Sequence, residues 1–261
     1  MGWNTYMNDV FDLTERLALV TGSSKGIGRA LAQGLLAAGA RVVINGRRQD
    51  TLQKAADELG EATDRRPHVA VFDVTDPEAV EEAVDRIEDE VGPIEILVNN
   101  AGGQRRAPSP VFTTEDWNYL LSLNLSSAFY VGRAVSRRMM DRRHGKIINV
   151  CSVQSEAVRP GIAAYSATKG GLKQLTKGMC ADLGPYGIQV NGLGPGYFAT
   201  ELTSALVADK EFSTWLTQRT PARRWGAVQD LVGPLIFLAS DASSFVNGQV
   251  LYVDGGMLSV L

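Results

Sequence analysis

The chain of 261 residues contains few of the residues that build disulfides and metal sites. Its two cysteines, Cys151 and Cys180, and its two histidines, His68 and His144, are scattered along the sequence. This scatter gives neither a disulfide framework nor a metal-ligand spacing. We therefore expect no metal site, and we expect a reducing compartment, the cytoplasm, as the location.

An excess of positive charge and long apolar runs are lacking as well. The formal net charge is −3, whereas a general nucleic-acid binder usually carries a basic face. No apolar run reaches the roughly 20 residues that a membrane span needs. The first residues have neither the basic nor the apolar region of a secretory signal. We expect no nucleic-acid partner and no membrane association.

What the chain does have is a regular order of elements. Hydrophobic residues make up 44% of it, enough for a large core. Short aliphatic runs, apolar on both faces as buried parallel strands are, alternate with segments of helical periodicity. The runs are residues 17–22, 41–46, 68–74, 94–102, 146–152, 188–193 and 248–256. This alternation predicts an α/β fold: a single doubly wound, Rossmann-type parallel sheet of about seven strands with helices on both faces.

The division of the chain is equally simple, because no linker, charge block or repeat interrupts it. The sequence predicts an N-terminal extension over residues 1–12 and a single domain over residues 13–261. Periodicity weakens between residues 197 and 226. We interpret this segment as a small substrate-covering insertion at the C-terminal edge of the sheet, where such folds bind ligands.

A glycine-rich turn, TGSSKGIG at residues 21–28, follows the first run. Its spacing is G-x-x-x-G-x-G, not the dinucleotide fingerprint G-x-G-x-x-G. Glycines nevertheless let the backbone approach a pyrophosphate at a helix N-terminus. The glycines alone fit a tight, closely packed turn equally well, but the position after the first strand favours a cofactor site. The predicted contacts are Gly22, Ser24, Lys25, Gly26, Ile27 and Gly28.

The end of the second run lacks the acid with which an NAD site bonds the ribose 2′-hydroxyl. The residues there are Asn45-Gly46-Arg47-Arg48. Arg47, with Lys25 in the turn, can instead face a 2′-phosphate. Either cation alone is more often solvated surface, but together they favour NADP(H), with NAD(H) as the alternative. Asp73, followed by Val74 at the end of the third run, can accept from an adenine amino group, although Asp is also a common turn residue there.

Four residues between positions 124 and 169 predict acid–base chemistry. Tyr165 and Lys169 lie four positions apart in a helical pattern, so they share one face. A tyrosine with its ordinary pKa of about 10 is a poor catalyst at neutral pH, and a neighbouring ammonium lowers that pKa. Ser152 could bond a substrate carbonyl, and Asn124 could position a water in a proton relay. A Tyr-x-x-x-Lys pair alone is common by chance, but it is far more specific after a dinucleotide turn and a strand-end serine.

Taken together, these motifs resemble the short-chain dehydrogenase/reductase family over nearly the whole chain. The matching positions are Thr21-Gly22-x3-Gly26-x-Gly28, Asn99-Asn100-Ala101-Gly102, Asn124, Ser152, Tyr165-x3-Lys169, and Pro195-Gly196 with Thr200. The resemblance implies that Tyr165 is the general acid–base and that Lys169 tunes it and bonds the nicotinamide ribose. It implies that Ser152 orients the carbonyl and that Asn124 supports the relay.

The resemblance also implies cofactor contacts and an assembly. Asn99, Ala101 and Gly102 would flank the cofactor. Pro195, Gly196 and Thr200 would line the nicotinamide amide. The family implies a homotetramer built through the long helices and the C-terminal strand.

Within the family, the segments NNAGGQRR, CSVQSE and FSTWLTQRTPARRWG resemble the gluconate 5-dehydrogenases. That resemblance implies an NADP-dependent oxidoreductase that interconverts D-gluconate and 5-keto-D-gluconate by hydride transfer at C5. Two other functions stay open. One is another reductase of the family, such as a 3-oxoacyl-carrier-protein reductase with an acidic protein partner. The other is a nucleotide-binding regulatory protein without catalysis.

A sugar acid offers one carboxylate and several hydroxyls to its site. An arginine fork binds carboxylates in bidentate fashion, and strand-like alternation lets only one of Arg105 and Arg106 point inward. We favour Arg106 as the carboxylate ligand, with Arg105 turned to solvent or to a neighbouring subunit. Gln104, Gln154 and Ser155 could bond the hydroxyls, although ordinary loop hydrogen bonding explains each of them about as well.

Overall fold

The computed structural model describes Trp3 and residues 9–260, apart from the side chain of Leu202. Within these residues, seven strands form one sheet in the order β3-β2-β1-β4-β5-β6-β7. Each neighbouring pair is parallel. The strands are β1 (Leu17–Val20), β2 (Arg41–Gly46), β3 (His68–Val71), β4 (Ile94–Asn99), β5 (Gly145–Val150), β6 (Ile188–Pro195) and β7 (Val250–Val253). The predicted doubly wound α/β fold is confirmed.

Helices cover both faces of the sheet. Their bounds are α1 (Gly26–Ala37), α2 (Gln49–Thr63), α3 (Pro77–Glu90), α4 (Thr114–Leu121), α5 (Ser127–Arg142), α6 (Ala163–Leu183), α7 (Ser204–Ala208), α8 (Lys210–Arg219) and α9 (Val232–Ala239). Apolar side chains of α1, α2 and α9 pack on one face, and those of α3, α5 and α6 pack on the other. β5 is buried along its whole length, and it carries the polar side chains of Lys146 and Asn149 among its apolar residues.

Local sequence signals explain where some of the helices begin. Asp76 caps α3, and its carboxylate accepts hydrogen bonds from the backbone N–H groups of Glu78 and Ala79. Pro77 occupies the first turn of α3. Backbone N–H groups in a first turn have no acceptor within the helix, so the N–H that proline lacks costs no hydrogen bond. Thr113 caps α4 in the same way, by accepting from Asp116 N. None of the described helices is long and apolar enough to cross a membrane.

The strand order places a ligand cleft at one edge of the sheet. Because all strands are parallel, their carboxyl ends meet at that edge, and the order reverses between β1 and β4. Several predicted runs extend beyond the observed strands: β3 ends at Val71 and β4 at Asn99. After β3, Phe72 N still donates to Gly46 O, and the chain then turns at Val74 and Thr75.

The predicted extension and insertion differ in how much of them is described. Residues 1, 2 and 4–8 of the predicted extension lie outside the described part of the chain. Of the remainder, the carbonyl of Val10 accepts a hydrogen bond from Ala242 N at 2.9 Å, and Leu13, the first residue of the predicted domain, is fully buried. The predicted insertion contains the short helices α7 and α8, which explains its weak periodicity.

Candidate active site

A cavity of about 770 Å³ opens at the carboxyl ends of the strands. Its wall includes the turn after β1, the segments that follow β2 to β6, and the beginning of the insertion. It spans the switch point between β1 and β4, and its volume suits a dinucleotide with a small substrate. The sequence-predicted edge is therefore where the site lies.

The glycine turn forms a cradle at the N-terminus of α1. Gly22 and Gly26 have φ of +60° and +57°, a region that residues other than glycine rarely adopt. A Cβ on Gly28 would lie 2.3 Å from Nδ2 of Asn100. The first turn of α1 has no acidic residue and its N-cap makes no side-chain hydrogen bond, so its N–H groups remain available to an anion. These features fit a pyrophosphate.

Two asparagines that the sequence analysis did not single out hold this cradle in place. Nδ2 of Asn100 donates to the carbonyls of Thr21 and Gly22 at 2.9 and 3.0 Å. Oδ1 of Asn45 accepts from Gly22 N at 3.2 Å. Both asparagines line the cavity. Only the Asn-Asn-Ala-Gly motif could have indicated the role of Asn100, and nothing in the sequence indicated that of Asn45.

Cations stand where a 2′-phosphate would lie. Arg47, 72% exposed in its side chain, has Asp73 as an ion-pair partner at 3.9 Å. Lys25, 69% exposed, pairs at 3.2 Å with Glu201 of the insertion. All four residues line the cavity. Both cations are exposed enough to turn towards a phosphate, as the sequence predicts for NADP(H).

Ser152, Tyr165 and Lys169 meet in the cavity wall, as the sequence predicts. Ser152 follows β5 and is 8% exposed, and its hydroxyl hydrogen-bonds Tyr165 on α6. Nζ of Lys169 donates to the carbonyl of Val150 at 2.7 Å and lies 5.9 Å from the Tyr165 ring centroid. One helical turn of α6 thus presents the phenol and the ammonium to the end of β5.

Burial dominates the charge states of Tyr165 and Lys169 in the protein chain itself. Burial raises the pKa of Tyr165 to about 12, although the hydrogen bond with Ser152 lowers it in part. Burial lowers the pKa of Lys169 to about 8. Desolvation outweighs the contacts that favour the phenolate. The hydroxyl therefore stays protonated at neutral pH, which is the state that donates a proton to a carbonyl.

Asn124 lies in a π-helical turn, Ser122–Ser126, that joins α4 to α5. Its side chain accepts from Gly103 N at 2.8 Å, donates to Gly103 O at 3.0 Å and donates to Thr168 Oγ1 at 3.3 Å. Asn124 is 1% exposed and is not among the residues of the cavity wall. The side chain thus clamps both peptide groups of Gly103. No pattern in the sequence indicated this π turn, which adds one residue to the helical turn.

The two arginines of the predicted substrate segment separate. Arg106 lines the cavity, and Oε1 of Gln104 accepts from its Nε at 2.9 Å and its Nη2 at 2.6 Å. Arg105 points elsewhere: it pairs with Asp116 at 3.3 Å and stacks over the Tyr119 ring, 4.6 Å from its centroid. This is the arrangement that the alternation of side chains favoured.

Most of the other predicted contacts reach the cavity. Those that line it are Ser24, Ile27, Val74, Ala101, Gly102, Gln104, Gln154, Pro195, Gly196 and Thr200. Ser155 instead donates to the carbonyl of Lys169 at 3.0 Å and is not part of the wall. Gln154 lines the cavity and donates to Tyr197 Oη at 3.2 Å.

The side chain of Asn99, a predicted cofactor contact, lies in the core. Nδ2 of Asn99 donates to Asn149 Oδ1 at 3.0 Å and to Ala128 O at 3.3 Å, inside the packed layer between β4 and α5. Asn99 is 5% exposed and does not contribute to the cavity wall. Its side chain faces a helix because it is the last residue of β4, and strand side chains alternate between the two faces.

The sequence analysis also missed a charged residue of the cavity wall. Arg159, in the loop between β5 and α6, lies in the cavity wall beside Arg106 and Tyr197. The segment around it, EAVRPG, has no periodicity or motif that points to a ligand. Its position depends on how the loop folds beneath the insertion, which a single sequence does not show.

The fold and this arrangement define a dinucleotide-dependent oxidoreductase. A family model described as enoyl-(acyl carrier protein) reductase matches residues 22–258. The chain is 58% identical to gluconate 5-dehydrogenase of Gluconobacter oxydans over 249 residues, 95% of this chain and 97% of that protein. It is 48% identical to 5-keto-D-gluconate 5-reductase of Escherichia coli, covering 97% and 99% of the two chains.

A solved structure is similar as well. The gluconate 5-dehydrogenase of Burkholderia cenocepacia, crystallised with NADP and tartrate, superposes with a TM-score of 0.95 at 55% identity, covering 98% of this chain and all of the other. This chain belongs to the short-chain dehydrogenase/reductase family.

Proposed function

We propose that this enzyme interconverts D-gluconate and 5-keto-D-gluconate by NADP(H)-dependent hydride transfer at C5. The observation that carries the proposal is Arg106, a guanidinium that Gln104 fixes in the same cavity as Ser152 and Tyr165. A carboxylate bound there would place a polyol chain along the cavity wall. The relatives named for gluconate and its 5-keto derivative support the same substrate class.

The chain's own groups would hold the cofactor at its two charged regions. The turn 22–28 and the N-terminus of α1 would bind the pyrophosphate through backbone N–H groups. Arg47 and Lys25 would bind the 2′-phosphate, and the relative crystallised with NADP supports this choice. When bound, the cofactor supplies or accepts a hydride at C4 of its nicotinamide.

Ser152 and Tyr165 would carry the proton chemistry. In reduction, the Ser152 hydroxyl orients the C5 carbonyl, and the Tyr165 hydroxyl donates its proton to the developing alkoxide. In oxidation, Tyr165 accepts a proton from the C5 hydroxyl. Lys169, bonded to the Val150 carbonyl, is a cation beside the phenol that favours the phenolate once the proton has left. Its own pKa of about 8 keeps most of it charged at neutral pH.

A steady-state screen tests this proposal. Gluconate, 5-ketogluconate, idonate and 2-ketogluconate are assayed with NADP(H) and with NAD(H), next to an acetoacetyl thioester. We expect the highest kcat/KM for 5-ketogluconate with NADPH. Strong turnover of the thioester with none of the sugar acids would identify a 3-oxoacyl-carrier-protein reductase instead.

The Tyr165→Phe variant tests the mechanism. It removes the hydroxyl and keeps the ring, so hydride transfer should fall by at least a hundredfold, the usual range for a lost general acid. An unchanged rate of hydride transfer in single turnovers would refute the role of Tyr165. Measurable turnover of any substrate would also exclude the alternative that the chain is a nucleotide-binding regulatory protein without catalysis.

We also propose a cytoplasmic homotetramer. Trp117 on α4 and Phe129 on α5 are 41% and 43% exposed, so the predicted long-helix face presents large apolar side chains that a neighbouring subunit would cover. Light scattering after size-exclusion chromatography should give four times the mass of the chain. A monomer at micromolar concentration would refute the assembly.

A further inference from the structure

Arg159, at the substrate end of the cavity, has no ion-pair partner in the described part of the chain. It is half-buried in the cavity wall, and its guanidinium stacks on Phe212 of α8, 5.5 Å from the ring centroid. Its Nε is buried without a hydrogen-bond partner. An arginine with an unpaired buried donor is costly unless a ligand completes its bonds.

The surrounding charges make this end of the cavity cationic. Among the described residues of the wall, the acids are Asp73 and Glu201, and each already has a cation beside it at the cofactor end. Arg106 faces the same space as Arg159. Burial lowers the pKa of Arg106, and repulsion from Arg159 lowers it further. Two guanidiniums without an acid between them form a site for an anion.

A cluster of aromatic side chains from the insertion supports the Arg159 guanidinium on the side that stacks on Phe212. Phe212 packs against Tyr197 and Trp225, with ring centroids 5.7 and 6.2 Å away. Tyr197 in turn accepts a hydrogen bond from Gln154. Stacking on this cluster fixes the position of the Arg159 guanidinium. Less conformational entropy is then lost when the planar guanidinium binds a carboxylate.

We propose that Arg159 is a second ligand of the substrate carboxylate and that it acts together with Arg106 to select sugar acids over neutral sugars. The inference rests on the proposed function, since it assigns the recognition of the acid in that reaction. Arg106 approaches the carboxylate from the loop after β4, and Arg159 from the loop after β5. Arg159 determines specificity and takes no part in proton or hydride transfer.

The test is a set of single and double variants assayed with 5-ketogluconate and NADPH. Arg159→Gln should raise the KM for 5-ketogluconate at least tenfold, with kcat changed less than threefold and the KM for NADPH unchanged. Arg159→Lys keeps the charge but loses the fork, so it should recover part of the loss. Arg66→Gln removes an exposed arginine that pairs with Asp57, and serves as the control for lost charge.

Two readouts separate ligand binding from a merely structural role. In a double-mutant cycle, the effects of Arg159→Gln and Arg106→Gln on the KM should be non-additive, because both residues contact one carboxylate. The melting temperature of Arg159→Gln should match that of Arg66→Gln. An equal rise in the KM for NADPH, or an unchanged KM for 5-ketogluconate, would overturn the inference.

The two proposals fail in different ways. If the wild type reduces 5-ketogluconate but Arg159→Gln keeps its KM, the inference fails and the proposed function stands. If the wild type does not reduce it, the proposed function fails. Calorimetry with tartrate and the NADP-loaded protein then decides the role of the arginine. A dissociation constant that is the same in wild type and Arg159→Gln overturns it, and one at least tenfold weaker in the variant supports carboxylate binding.

Discussion

Replacing Asn124 by alanine tests whether this residue holds a loop or relays protons. The side chain makes three hydrogen bonds, two with the peptide groups of Gly103 and one with Thr168. Each buried bond contributes about 1 kcal/mol, and Asn124→Ala leaves Gly103 without either partner. The expected loss in the free energy of unfolding is therefore about 3 kcal/mol.

Urea unfolding of the cofactor-free protein measures this loss, and initial rates measure its effect on function. We expect the KM for the sugar acid to rise more than kcat falls, because Gly103 precedes the segment that carries Gln104 and Arg106. Asn118→Ala is the matched control. Asn118 is exposed on α4 one and a half helical turns earlier, and its replacement should leave stability within about 0.5 kcal/mol of wild type.

The opposite pattern would refute the clamp. A variant that loses less than about 1 kcal/mol of stability, but whose kcat falls with an altered solvent isotope effect, would place Asn124 in the proton relay. That result would restore the role that the sequence resemblance implies.

Three further predictions follow from charged groups. Arg106→Ala should raise the KM for gluconate roughly ten- to hundredfold and leave that for NADP unchanged in initial-rate assays; the reverse pattern would assign the segment to the cofactor. Arg47→Ala should raise the KM for NADPH severalfold but not that for NADH, which has no 2′-phosphate, and equal effects on both would refute the assignment. Burial lowers the pKa of Lys146 from 10.5 to about 8. At pH 7 the Lys146 ammonium is charged in both states, but it is better solvated in the unfolded chain, so this charge destabilises the folded protein. Lys146→Met should raise the unfolding free energy at pH 7 by about 1–3 kcal/mol. In urea titrations, wild type should gain stability as pH rises from 8 towards 10.5 and close this gap; a constant difference would refute the titration.

The sequence predicted the fold well because each buried parallel strand is a short apolar run between helical segments. The second run, residues 41–46, coincides with β2. Runs such as 68–74 and 94–102 were too long, since buried apolar residues such as Phe72 and Val74 continue past the last paired residue, where the chain begins to line the cavity. An apolar run in the sequence indicates which residues are buried, and residues can remain buried beyond the last pair of hydrogen-bonded strand residues.

The candidate site was predictable where its geometry is local. Helical spacing alone brings Tyr165 and Lys169 to one face. In contrast, Arg159 and the clamp by Asn124 depend on contacts between segments far apart in the chain. Phe212 lies on α8 and Gly103 on the loop after β4, and no periodicity links them to their partners. The side-chain direction of Asn99 could have been read from strand alternation, had the end of β4 been known.

The all-parallel order of the sheet has a consequence for how the protein acquires its cavity. Within the described residues no two strands form a hairpin, so each pairing must wait for a crossover helix, and Leu17 of β1 meets Ile94 of β4 only after β2 and β3 have been made. Such long-range contacts slow folding. Pro195, at the end of β6, and the glycine turn both line the cavity, but Pro195 is synthesised long after that turn. A chain that stops before β6 is expected to be inactive, since no early folding unit contains the site.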